Sequence, residues 1–89
     1  MSIEVYIPPS LQSQIGNVKL VKVEGKTVGE CLAALIACYP QLGSGLLKDG
    51  KIHKGLSLFV NSENAHPQGL NKPVHDGDKL YIMNILVGG

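Results

Sequence analysis

Apolar and polar positions alternate at the start of the chain. Ile3, Val5 and Ile7 interleave with Ser2, Glu4 and Tyr6, the period-two pattern of a strand buried on one face. Pro8-Pro9 ends it. A loop is expected over residues 10–17 and a second strand over 18–23, where β-branched residues gather. The period then changes. Val28, Leu32, Leu35, Ile36 and Tyr39 recur at helical spacing, with Cys31 and Cys38 flanking the stripe. Thr27-Val28-Gly29-Glu30 reads as a capping box. In it the Thr27 hydroxyl takes the Glu30 amide, and the Glu30 carboxylate reaches back to the Thr27 amide. Pro40 disfavours helix before it, which places the helix at 28–39. Residues 41–54 are Gly-rich and lack a clear period, with room for one helical turn near Leu46-Leu47. A third strand is expected at 56–60, with Leu58 and Val60 on one face. Asn61-Ser62-Glu63-Asn64 is turn chemistry. Ala65-His66 reads as a very short strand before Pro67, 69–73 as loop, and Asp76-Gly77-Asp78 as a tight turn. The last strand is expected at 79–86, with Leu80 and Ile82 alternating against Tyr81 and Met83.

Hairpin, helix and strands in that order predict a small α+β domain with one main helix packed on one face of a mixed sheet of four or five strands. The first and last strands are expected side by side and parallel, since the chain between them can supply a crossover. If Ile3, Val5, Ile7, Leu58, Val60, Leu80 and Ile82 face the helix, then Tyr6, Phe59, Tyr81 and Met83 face away from it. One helix cannot cover both faces. Three of the four aromatic residues therefore fall on an open face, the kind of cluster a protein partner buries.

Eighty-nine residues at 44% hydrophobic and 17% charged predict one globular domain. Net charge is +1, from eight lysines and no arginine, with no basic run. That composition argues against nucleic acid, whose phosphates call for clustered cations. No apolar run reaches the ~18 residues of a membrane span, and the first residues lack the basic and apolar regions of a signal peptide. A cytoplasmic protein without a membrane partner is expected. Cys31 and Cys38 lie roughly 10 Å apart on one helix, too far for a disulfide. Both are expected to be small, partly buried thiols, with Cys31 packing rather than reacting. His53, His66 and His75 are scattered without the spacing of a metal site. No Walker A sequence or GxGxxG is present, and no metal or cofactor is expected.

The last strand runs into Val87-Gly88-Gly89. Two residues without side chains can pass a narrow channel that any Cβ would block. The segment 86–89 is therefore read as a flexible tail that presents the Gly89 carboxylate to another protein's active site. Element order, Val60-Asn61 at the end of the middle strand, Asp76-Gly77-Asp78 and Gly88-Gly89 together make the chain resemble the β-grasp sulfur carriers of the MoaD/ThiS family, which share fold and tail with ubiquitin. Length, the Gly-rich segment before the middle strand and tail spacing are most similar to the MoaD-like carrier of cysteine biosynthesis. Many members of the family have a proline between last strand and tail, where this chain has Asn84-Ile85-Leu86.

The resemblance implies a carried co-substrate and not an enzyme. An ATP-dependent E1-like activating enzyme would adenylate Gly89, sulfur would replace AMP, and the resulting thiocarboxylate would serve a sulfur-accepting synthase making cysteine, molybdopterin or thiamine thiazole. A desulfurase or a metalloprotease is also implied among its partners. Gly88 would pass the constriction, and Leu86 and Val87 would be held by the channel. A ubiquitin-like modifier conjugated through Gly89 and a non-covalent binding module are the competing readings.

Overall fold

A computed structural model describes residues 1–85. The tail positions singled out above, Leu86, Val87, Gly88 and Gly89, lie outside the described residues. Strand β1 (Ser2–Tyr6) turns at Pro8 into a single helical turn, α1 (Pro9–Gln12), and a 3-10 turn at Ser13–Ile15. Strand β2 (Leu20–Glu24) returns antiparallel to β1, pairing Tyr6 with Leu20 and Ser2 with Glu24. Helix α2 (Val28–Cys38) follows. A 3-10 turn at Pro40–Leu42 and the short helix α3 (Gly43–Leu46) lead into a two-stranded hairpin, β3 (Leu47–Lys48) and β4 (Lys51–Ile52). Strand β5 (Leu56–Val60), the two-residue β6 (Glu63–Asn64), a 3-10 turn at Gly69–Asn71 and β7 (Lys79–Asn84) complete the described chain.

The main sheet has the order β2-β1-β7-β5-β6. The parallel pair sits at its centre, with Glu4 opposite Lys79 and Tyr6 opposite Tyr81. β5 flanks β7 antiparallel, from Leu56 opposite Asn84 to Val60 opposite Leu80. The expected faces are those observed. Ile3, Val5, Ile7, Leu58, Val60, Leu80 and Ile82 are all buried, and they join Val28, Cys31, Leu32 and Leu35 of α2 in one core. No polar or charged side chain is buried among the described residues, so apolar packing alone fixes the seating of helix on sheet.

Several local expectations are corrected. Residues 10–17 are not an open loop. Pro9 takes the first helical position of α1, where its missing N–H costs nothing, and the two turns drive Leu11 and Ile15 into the core. The second strand lies at Leu20–Glu24 instead of 18–23. The cap of α2 is half as expected. The Glu30 amide donates to the Thr27 hydroxyl at 3.2 Å, but the Glu30 carboxylate accepts from the Lys26 amide at 2.9 Å, one residue beyond the predicted partner. The helix ends at Cys38, and Tyr39 leaves the helical region at φ −133°. Residues 41–54 hold a helical turn ending at Leu46 and then the β3–β4 hairpin. The short strand before Pro67 is Glu63–Asn64, not Ala65-His66, because Ala65 turns inward and is buried. The last strand stops at Asn84, short of the predicted 86.

Candidate functional site

β7 is the element that would deliver the C-terminal residues, and both of its ends are fastened. At its start Gly77 holds φ +85°, a left-handed angle that L side chains rarely adopt. The Gly77 amide donates to the Ser2 carbonyl at 2.9 Å, and the Ser2 amide donates to Asp76 Oδ1 at 2.8 Å. Asp78 closes the turn. Its Oδ2 accepts from the His75 amide at 2.8 Å and its Oδ1 from Asn61 Nδ2 at 3.1 Å. The His75 bond, with the Asn61 amide group beside it, holds the Asp78 carboxyl below the usual range. Asn61 sits at φ +56° at the end of β5. Its Oδ1 accepts from the Lys79 amide at 3.1 Å, and its own amide donates to the Lys79 carbonyl at 2.7 Å. Val60-Asn61 and Asp76-Gly77-Asp78, read apart in the sequence, thus form one clasp that sets where β7 begins.

At the other end, the Ile85 amide donates to the Gly55 carbonyl at 2.9 Å, and the Ser10 hydroxyl donates to Asn84 Oδ1 at 2.9 Å. The ladder therefore carries the chain to Ile85 in a fixed direction, away from the clasp.

The open face is where the alternation placed it. Leu20, Tyr6, Tyr81 and Phe59 are register partners across β2, β1, β7 and β5, and so form one apolar row over the sheet. Tyr6 and Tyr81 stack with centroids 4.6 Å apart and planes 16° from parallel. Met83, 51% exposed, stands in the next row opposite Ser57. A shallow hollow of about 310 Å³ lies between Tyr6, Pro8, Pro9, Tyr81, Met83 and Asn84. All four predicted face residues are brought together. Leu20 and the two prolines are additions that the sequence reading missed. The signal for Leu20 was its pairing with Tyr6, which needs the hairpin register.

Other reactive groups are set apart from this region. Cys31 is buried against the sheet, and burial pushes its thiol up to about 11. At that value the nucleophilic thiolate is scarce. Cys38 is exposed, not partly buried as expected. Among the described residues no three His, Cys, Asp or Glu side chains gather where they could hold a metal ion. No described helix is long and apolar enough to cross a membrane.

A parallel pair at the centre of a mixed sheet, grasped by one main helix, defines a ubiquitin-like β-grasp protein. Residues 5–89 match the model of the ThiS family, and the chain belongs to that family of small sulfur carriers. It is 32% identical to a chain of the Amycolatopsis orientalis BexX/CysO complex, with a TM-score of 0.89 over 98% of this chain and 99% of that one. Mycobacterium tuberculosis CysO is 30% identical, with a TM-score of 0.87 over 94% and 99% of the two chains. Small archaeal modifier protein 1 of Haloferax volcanii is 28% identical, with a TM-score of 0.85 over the full length of both. A search of curated proteins found no match.

Proposed function

We propose that the chain carries sulfur as a thiocarboxylate on Gly89. A carboxylate is ionised at neutral pH and is a poor electrophile. An oxygen of Gly89 therefore first attacks the α-phosphorus of ATP on a partner enzyme, and pyrophosphate leaves. Sulfide then attacks the acyl carbon and AMP leaves, giving the thiocarboxylate. A persulfide donor would give an acyl disulfide that a thiol reduces to the same product. A receiving enzyme takes the sulfur for cysteine, molybdopterin or thiamine thiazole. The similarity to CysO favours cysteine. In this reading Gly88 lets the backbone pass the partner's constriction, and Leu86 and Val87 are gripped in its channel. The activating enzyme and the receiving synthase dock on the open face of Tyr6, Phe59, Tyr81 and Met83.

The observation that carries the reading is the seating of β7. It is fastened between β1 and β5, carries the described chain to Ile85, and leads in sequence to Gly88-Gly89. Intact-mass spectrometry tests it. Co-expression with the activating enzyme and a sulfur source should add about 16 Da, oxygen replaced by sulfur, on the C-terminal peptide alone. No gain, or a gain that survives deletion of Gly88-Gly89, overturns it.

A second reading rests on the full-length similarity to an archaeal modifier protein. In it the activated Gly89 acylates a lysine of another protein. Conjugates bearing a C-terminal peptide of this chain on lysine would identify that route.

A further inference from the structure

Five of the seven side-chain carboxylates of this chain gather at one end of the strands, where Lys26, Lys72 and Lys79 accompany them. Glu24, Asp76 and Asp78 lie at the clasp end, where β1 and β7 begin. Glu30 is bound to Lys26 just past β2, and Glu63 lies opposite Val60 near the start of β7. Glu24 pairs with the N-terminal ammonium and Glu63 with Lys72, while Asp78 stands 3.8 Å from His75. The other end, which β7 reaches at Asn84 and Ile85, is different. Lys54 is exposed there, and the β3–β4 hairpin that precedes it carries exposed Lys48 and Lys51, with Asp49 as the one carboxylate of the segment.

The β3–β4 hairpin builds this basic end at a cost. Asp49 and Gly50 make its two-residue turn with φ of +54° and +74°, both left-handed. The turn places Lys48 directly opposite Lys51. Like charges facing across a ladder destabilise it, and neither ammonium group has a carboxylate within 4 Å among the described residues. The hairpin is also tied to the exit. Its trailing residues lead to Gly55, whose carbonyl holds the Ile85 amide, and His53, Lys54 and Ile85 line one hollow of about 280 Å³.

We infer that the β3–β4 hairpin, through Lys48, Lys51 and Lys54, docks on an acidic protein surface at the mouth of the channel that receives the C-terminal residues. The inference rests on the carrier reading above. A carboxylate-rich rim would relieve the Lys48–Lys51 repulsion and steer the chain in with the correct end first. Nucleic acid fits this surface poorly. The chain has no arginine, and Tyr6, Phe59 and Tyr81, on which bases could stack, lie on the open sheet face and not beside the hairpin.

The test uses the full chain and the adenylating enzyme encoded in the same genome, read by ATP–pyrophosphate exchange. Lys48→Glu with Lys51→Glu should raise KM for the chain about tenfold or more and leave kcat unchanged, because the charges act on encounter and not on the reacting group. Added salt should raise the wild-type KM and barely move that of the variant. The milder pair Lys48→Gln and Lys51→Gln should fall between, and thermal melts should show both variants folded. Lys26→Glu, at the clasp end, should leave KM as it is. An unchanged KM in the hairpin variants of a wild-type chain that is adenylated overturns the inference and leaves the carrier reading standing. No exchange with the wild-type chain overturns both. A gel shift with duplex RNA that vanishes in the hairpin variants, with KM unchanged, would make nucleic acid the occupant and also overturns it.

Discussion

Replacing Asn61 tests the clasp directly, because this residue stabilises β7 in two separable ways. Its side chain accepts from the Lys79 amide and donates to Asp78, each at 3.1 Å. It also holds φ +56°, where asparagine is better tolerated than alanine. Each side-chain bond at this partly solvated site contributes about 0.5–1 kcal/mol, and the left-handed conformation costs an alanine about 1 kcal/mol or more. Asn61→Ala should therefore destabilise by about 2–3 kcal/mol. Asn61→Gly loses the same two bonds but escapes the Cβ strain. The glycine gives back part of that gain, about 0.4–1 kcal/mol, through a freer unfolded chain. It should remain up to about 0.6 kcal/mol more stable than the alanine variant. The backbone bond from the Asn61 amide to the Lys79 carbonyl is common to all three proteins and cancels.

Urea unfolding followed by circular dichroism measures these differences, provided the slope is the same for all three proteins. In a domain of this size each kcal/mol shifts Tm by about 4–8 °C, so Asn61→Ala should melt roughly 8 °C or more below wild type. The order of the variants is the discriminating result. If the glycine variant is the less stable of the two, the left-handed strain is wrongly assigned. If both variants lie within about 0.5 kcal/mol of wild type, ordinary for a surface change, the clasp does not hold β7.

Asp78→Asn should cost about 1 kcal/mol at neutral pH, a value moderated by solvent. The Asp78 carboxyl is held below its usual range, so its stabilisation is complete above the unfolded value of about 3.9 and is lost as pH falls through the folded value. The gap between wild type and Asp78→Asn in acid-unfolding curves should accordingly be flat above about pH 5 and close below it, and a gap that widens in acid refutes the assignment. A thiol reagent at pH 8 should label Cys38 quickly and Cys31 only on unfolding, because the Cys31 thiol is buried and pushed up to about 11; peptide mass mapping reads both sites. Met83→Asp, on the exposed end of the open face, should leave Tm nearly unchanged while lowering the rate of Gly89 thiocarboxylate formation about tenfold, and an unchanged rate removes Met83 from the docking surface.

What could be read in the sequence followed the range of the signal. β1, β5 and β7 alternate with period two, and α2 carries its own cap and stripe. Each was legible from a few neighbouring residues. The open aromatic face followed, since the phase of a strand fixes both of its faces. Leu20 was not legible in the same way. It joins the row only through its pairing with Tyr6 across an irregular connection. The function of Asn61 was hidden likewise, because an asparagine that ends a strand looks like any turn residue until the register brings it against Lys79 and Asp78.

Two of the misread segments lead to one place in the fold. Pro9 at a helix start with Leu11 and Ile15 four apart, and Asp49-Gly50 between two short runs, were local signals of the first turns and of the β3–β4 hairpin. They were masked by glycines and by the brevity of each element. The first turns reach the exit end, where Ser10 holds Asn84, and the hairpin leads into Gly55, which holds Ile85, while its tip lies against the 67–71 segment. The central strands and α2 are specified by core packing, which tolerates few arrangements. The exit end is built from short, irregular pieces whose exposed residues the core does not constrain. Under the carrier function proposed above, a strand end presented to more than one enzyme needs a rigid centre to aim it and a rim free to match its partners. In this protein the legible elements form the centre, and those that escaped the sequence form the rim.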